Sequence, residues 1–427
     1  MTEVISDVDS KTMTPSLVYQ GSVKDVYELG PEELLFHFSD DFSVFDWGKM
    51  PDQISGKGRA LTLFAAGFFE KMTGAAFWQE LPNSKHLQQF DREYLQTIFS
   101  ALEPSETLAN HYLGLYSRGQ TFKLSAPAFA DEGQSFLEHS GQELYLQVAR
   151  ARVDRPEVRT IGQSLVYFYK NAGQREGLSF IPLEVVFRFA APAGSSLLSR
   201  LEKNPDYAYV LGLEPDAVKP GTLFPHPVIE FFTKLEPSDR LLSYQEAAAI
   251  AGLSPAEFER LYQTAHLCAL AIFHVFAEQG ITLLDGKVEA AVERRLSGKG
   301  QMTSRIVLAD SIGPDELRLD YKGIQLSKEV LRRYYRNTAW YREIESSKAE
   351  AAKRPSVKWQ DICRQEKGSA PQPLPPALKE CIANMYLALA ATMVGGHLAE
   401  KICPLSLPAV AEQLAKEIDL AEKEGKP

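Results

Sequence analysis

The 427-residue chain is poor in cysteine: Cys268, Cys363, Cys381 and Cys403 lie far apart and form no CxxC pair. Neither a zinc module nor a disulfide framework is expected, and buried free thiols in a reducing compartment are the simpler reading. A cationic surplus is also lacking. The chain has 46 basic and 56 acidic side chains, a formal charge of −10, which disfavours general nucleic-acid binding while leaving room for a small phosphate pocket. The longest apolar stretch, around Tyr386 to Val394, is shorter than the ~20 residues of a membrane span. The opening MTEVISDVDSKTM has no basic start followed by an apolar block, so no secretory signal is read and the cytoplasm is the expected compartment. There is no GxxxxGK[ST], GxGxxG or GxSxG motif and no histidine pair at helical metal-ligand spacing. His37 and His274 sit in apolar contexts and read as core or boundary residues.

What is present is an ordinary globular composition, 44% hydrophobic, in a chain long enough for two or three lobes at roughly 150 residues each. A polar, disordered lead over residues 1–14 is expected. The segments LVYQ, VKDVYEL and ELLFHF then read as an antiparallel meander, followed by an amphipathic helix from Arg59 to Met72, so residues 15–79 form a β-rich lobe. Residues 80–160 carry no legible motif and are assigned as a partly helical insertion or lid. Strand signals resume with SLVYFYK, LEVVFRF and VIEFFTK. A long helix from about Pro255 to Gln279 then leads into GITLLDGKVEAAV, whose hairpin partner is TSRIVLAD. This makes residues 161–343 a central α+β domain, since no βα unit repeats. Beyond it, residues 344–427 read as a helical region interrupted by the linker GSAPQPLPP.

Candidate chemistry concentrates in Asp285-Gly286-Lys287-Val288-Glu289. In a strand, side chains two apart share a face, so two carboxylates and a lysine would project together. Such a group suits a magnesium-bound phosphate, although a solvated charged face is the commoner cause of alternating charge. With the hairpin turn centred between Gly298 and Lys299, facing residue numbers sum to about 597, which sets Asp310 near Lys287. Gly21-Ser22-Val23-Lys24 could cover a nucleotide's phosphates or simply be a turn. Arg188, with Gly194-Ser195 just before a helix and Arg318 further on, could bind one phosphate monoester.

These residues, in this order, resemble the SAICAR synthetase family from about Val18 to Arg333, except for most of residues 80–160, with a weaker echo in PLPPALKECIANMYLALAATMVGG. The most specific pieces are DDFSVFD followed by GKG, IPLEVVFR followed by GS, PHPVIEFFTK, LLDGKVE and LADSIGPDELR. The resemblance implies an α+β fold with an antiparallel N-terminal lobe over a larger ATP-binding lobe and C-terminal helices. It also implies an ATP-dependent ligase in which a ribotide carboxylate is phosphorylated and then attacked by the amine of aspartate. By motif, Gly21, Ser22, Lys24, Glu230 and Lys234 would bind ATP, while Asp285, Glu289 and Asp310 would hold Mg2+. Asp285 and Lys287 would face the reacting carboxylate. Asp46, Lys57, Gly58, Arg188, Gly194, Ser195, Arg318 and Lys328 would bind substrate.

Several positions depart from the family pattern. Ser22 replaces a lysine, Ser311 a glutamate and Ala290-Ala291 a Phe-Gly pair; Glu316-Leu317 replaces a small hydroxyl or Cys-type stretch, and Ser327 stands where Asp-Lys is usual. One extra residue separates Arg188 from Gly194-Ser195. Three readings follow: the family reaction, a divergent ligase for another carboxylate and amine, and a noncatalytic nucleotide binder. Small molecules are the expected partners, with no nucleic acid or membrane, and assembly into a homo-oligomer is left open.

Overall fold

A computed structural model describes residues 14–102, 107–125, 144–169, 175–192, 195–354 and 357–424. Residues 1–13 of the expected polar lead, and Gly194, lie outside the described residues.

The three short β-branched and aromatic segments form the expected meander, β1 (Ser16–Gln20), β2 (Lys24–Gly30) and β3 (Glu33–Phe38). Gly21 is required between the first two, because a Cβ there would overlap the Lys24 carbonyl oxygen. Part of the stretch expected as an insertion or lid then corrects that reading. Strands β4 (Tyr112–Ser117), β5 (Gln120–Phe122) and β6 (Tyr145–Ala149) join the same antiparallel sheet in the order β1-β2-β3-β6-β4-β5. Almost all of β4 is buried on both faces, so it lacks the alternation that marks a half-exposed strand. Among the described residues, strands β7 (Glu157–Ile161) and β8 (Ser164–Phe168) pair only with each other, as an exposed ribbon.

The second sheet contains β9 (Gly177–Phe180), β10 (Leu183–Ala190), β11 (Leu223–Thr233), β12 (Leu241–Leu242), β13 (Thr282–Leu296), β14 (Met302–Ala309), β15 (Leu317–Tyr321) and β16 (Ile324–Gln325). Its main path is β12-β11-β10-β13-β15-β16, all antiparallel. Strand β13 is long enough to change partners along its length. From Thr282 to Val288 it pairs with β10 and β15, and from Glu289 to Leu296 with β14 and β9. The connection 310–316 therefore lies over the point where the sheet branches. The hairpin register sums to 598, as in Glu289↔Ala309, one residue from the expected value.

Helix α1 (Lys57–Met72) packs on β3, and α2 (Pro255–Ala277) packs on the back of the second sheet. A capping box between Ser254 and Glu257, with Pro255 in the first turn, sets the start of α2. Phe273 of α2 meets Phe189 of β10 with ring centroids 4.7 Å apart, and Phe276 stacks on Phe64 of α1 at 6.1 Å. One apolar cluster thus runs through both lobes.

Helix α3 (Pro376–Val394) has the length and apolar composition of a membrane span, with mean hydropathy 1.2, contrary to the expectation that no segment would approach one. It lies between α1 and α4 (Leu407–Glu424) with half of its length buried, which accounts for its composition as a core helix. Val394 comes within 3.0 Å of the position a Cβ on Gly67 would take, so α1 and α3 approach closely there.

Gly58, assigned to substrate by motif, fits tightly against the end of β3. A Cβ there would overlap the Phe38 carbonyl oxygen and lie 2.8 Å from its carbon. Gly58→Ala is expected to lower stability by about 1–3 kcal/mol through overpacking, read as a reduced urea midpoint. An unchanged midpoint would mean that α1 can slide off β3.

Candidate active site

Alternation along the central strands brings one charged face together. Register places Arg188 of β10 opposite Asp285 of β13, and Asp285 opposite Arg318 of β15. Val186 lies between Glu230 of β11 and Lys287 of β13. The opposite face, with Phe187, Phe231, Leu283 and Val288, belongs to the apolar core.

The charged face divides into two groups. In the first, Arg188 donates from Nε to Glu230 Oε2 at 2.6 Å and from Nη1 to Asp285 Oδ2 at 3.1 Å. Arg318 Nη1 donates to the same Asp285 oxygen at 3.1 Å. Glu230 also accepts from Arg200 and, at 2.8 Å, from the Tyr207 hydroxyl. Burial raises the Asp285 pKa against the pull of Arg318 and Arg188. In the second group, Lys287 Nζ donates to Glu184 Oε2 at 2.9 Å, and Lys234 Nζ bridges Glu184 at 3.3 Å and Glu289 Oε1 at 2.5 Å. Burial and the Asp310 charge raise the Glu289 pKa, with Lys234 opposing. Burial would also raise Asp310, but Lys24 together with Lys234 and His111 outweighs it and the pKa falls. Lys24 itself comes from the first lobe and pairs with Asp310 across the cleft.

Asp310 has φ 57°, a left-handed conformation uncommon outside glycine. His111 Nε2 lies 2.8 Å from the Asp310 carbonyl oxygen. Burial holds the imidazole pKa at about 4, so it is neutral at pH 7 and can donate to that carbonyl.

The expected three-carboxylate metal set does not form. No group of three or more His, Cys, Asp or Glu side chains is arranged for a metal among the described residues. Asp285 and Glu289 share a face, but four residues of strand separate them by about 13 Å, and two arginines occupy Asp285. Glu289 and Asp310 do meet, with Lys234 and Lys24 beside them.

Other expected site residues also take different places. Glu230 is buried among three donors rather than open to a nucleotide, and Arg188 is almost wholly buried between two carboxylates. Ser195 is buried and caps a helix by accepting from the Leu197 N–H at 3.3 Å. Lys57 is fully buried, 3.1 Å from Asp315 Oδ2 and over the Tyr386 ring. Ser22 and Asp46 are exposed, and Lys328 is half-buried near Asp315 and Glu316.

Sequence reasoning omitted Glu184, His111, Arg200, Tyr207, Asp315 and Tyr386. Glu184 could have been found, because it lies four residues before Arg188 on an alternating strand. The others are brought in by distant elements and carry no local signal.

The sequence model described as SAICAR synthetase matches residues 17–347. A putative phosphoribosylaminoimidazole-succinocarboxamide synthase of Archaeoglobus fulgidus is 31% identical over 381 residues, covering 88% of this chain and 93% of the relative. The phosphoribosylaminoimidazole-succinocarboxamide synthase of Thermoplasma acidophilum is 23% identical over 389 residues, covering 89% and 98%. Among solved structures, SAICAR synthase of Saccharomyces cerevisiae complexed with SAICAR aligns with a TM-score of 0.51 at 20% identity, covering 92% of this chain and 98% of that one. This last likeness speaks to the fold.

Glu316 sits where burial and the neighbouring Asp315 push its carboxyl up to about 7. A raised carboxyl destabilises the fold as pH climbs from the ordinary glutamate value through the folded one. Glu316→Gln is therefore expected to raise the melting temperature at about pH 8 and much less at about pH 5. An equal change at both values would remove this account.

Proposed function

The chain belongs to the SAICAR synthetase family of ATP-dependent carbon–nitrogen ligases, and on that premise we propose that it joins carboxyaminoimidazole ribotide to L-aspartate. ATP would phosphorylate the ribotide carboxylate, and the aspartate amine would displace phosphate to leave the amide, ADP and inorganic phosphate. The observation that carries this reading is the meeting of Glu289 and Asp310 with lysines from both lobes, at the branch of the second sheet. Such a reaction needs charge neutralisation and alignment more than a protein nucleophile.

The donor set fits a hard divalent ion in one respect. Mg2+ is commonly held by one or two carboxylates together with substrate phosphates, and Glu289 and Asp310 are two such carboxylates, close enough that the Asp310 charge raises the Glu289 pKa. When bound, the ion would neutralise phosphate oxygens and polarise the transferring group. Lys24 and Lys234 would turn from these carboxylates toward phosphate oxygens. His111 would keep Asp310 oriented through its carbonyl. Lys287, held by Glu184, would face the carboxylate being activated. Arg318 is the more open of the two arginines on Asp285, and it is the one assigned to the ribotide phosphate.

The direct test supplies ATP, Mg2+, the ribotide and L-aspartate and follows both ADP and the amide product. Coupled formation of the two is expected. ADP release with another amine and none with aspartate would replace this reading by a ligase of different specificity. Asp310→Asn is expected to lower kcat about a hundredfold or more. Its melting temperature should change little, because Lys24 is open enough to regain water. A large fall in melting temperature with normal kcat would assign Asp310 to structure alone.

A further inference from the structure

Arg59, the third residue of α1, is a cation with no ion-pair or hydrogen-bond partner among the described residues. Its Nε is buried and unsatisfied. Burial alone depresses its basicity, with no carboxylate offsetting the effect. An unpaired, partly desolvated guanidinium is costly unless something occupies its fork. The side chain lines a cavity of about 360 Å³ together with Phe38, Ser39, Asp40, Gln53 and Ser55. That volume lies within the range of roughly 300–1,000 Å³ found for small-molecule sites.

Asp40 does not cancel the arginine. Its two oxygens accept the backbone N–H groups of Gly56 and Gly58 at 3.1 and 2.9 Å, so its charge is directed at the start of α1. The helix terminus is thereby satisfied, and the guanidinium remains the open charge of the cavity. Ser39, Gln53 and Ser55 add neutral hydrogen-bonding groups. Phe38 lines both this cavity and the smaller chamber beside Lys24 and Asp310, so the two spaces share a wall residue.

We propose that this cavity seats the acidic end of the amine substrate, with Arg59 gripping one of its carboxylates; the identity of that substrate as an amino diacid rests on the functional reading above. A planar guanidinium meets a carboxylate through two parallel hydrogen bonds, which selects both charge and orientation. Anchored there, the substrate has its amine end free to reach past Phe38 toward the chamber at Lys24 and Asp310. Neutral amines of the same size would lack the anchor.

The test compares the intact wild-type chain with Arg59→Met and Arg59→Lys in two measurements. In steady-state kinetics, Arg59→Met is expected to raise KM for L-aspartate by about ten- to a hundredfold, with KM for ATP and ribotide nearly as in wild type and Arg59→Lys recovering part of the loss. In thermal unfolding without ATP or ribotide, succinate should stabilise the wild type and not Arg59→Met. Unchanged KM for aspartate, or a parallel rise for ATP or ribotide, overturns the proposal. So does an equal response of wild type and variant to succinate. If the wild type makes no amide from aspartate yet its succinate response is lost in Arg59→Met, the functional reading fails while the carboxylate site stands.

Discussion

A carboxylate buried on a sheet face has to be met by a cation, and that requirement organises the cleft of this protein. Glu184, Glu230, Asp285 and Glu289 all lie on one face of the second sheet, and each is paired with lysine or arginine from a neighbouring strand or from the helix after β10. Removing one partner of a fully buried pair such as Arg188–Glu230 costs about 3–5 kcal/mol, because it strands the other charge. The charges are therefore held in a fixed alternating order.

The branch in β13 determines where along that face the chemistry can occur. Before Glu289 the strand pairs with β15 from Thr282 to Gly286 and with β10 from Asp285 to Val288, and from Glu289 onward β14 takes one edge. The connection 310–316 must cross at the change of partner, and the Lys287 N–H donates to the Glu316 carbonyl oxygen to hold it there at 3.1 Å. This crossing carries Asp310, Asp315 and Glu316 to the strand, and Lys24 reaches Asp310 from the first sheet and lines one chamber with all three. The loop is anchored on its other side by Asp315, which accepts from the Tyr386 hydroxyl at 2.6 Å and faces the buried Lys57. The first lobe, the branch and the C-terminal helices are thus tied to one loop.

Much of the fold was legible locally. The meander, the strands at 183–190 and 282–296 and the long helix after Ser254 carry residue-type, turn or capping signals that short-range chemistry explains, and the C-terminal region reads as helical. Strands β4 to β6 escaped because β4 is buried on both faces and reads as a plain apolar run. The hairpin argument missed the register by one residue, since counting to a turn fixes the pairing only as well as the turn is known. It still brought Asp310 to the correct end of β13. The metal set erred differently: a shared face was taken for a shared point, and strand rise separates Asp285 from Glu289.

The order and spacing of motifs were sufficient by themselves to determine the family, the α+β character and the strand that carries the charges, because these depend on residue type and on a two-residue period. Which carboxylate meets which cation was decided only by the tertiary structure. Arg200, His111 and Tyr386 come from elements with no sequence relation to β13, and Lys57 turns into the interior although its motif suggested a ligand. Pairing of buried charge is a property of distances between separate elements, and those distances exist only once the two sheets and their helices share a core.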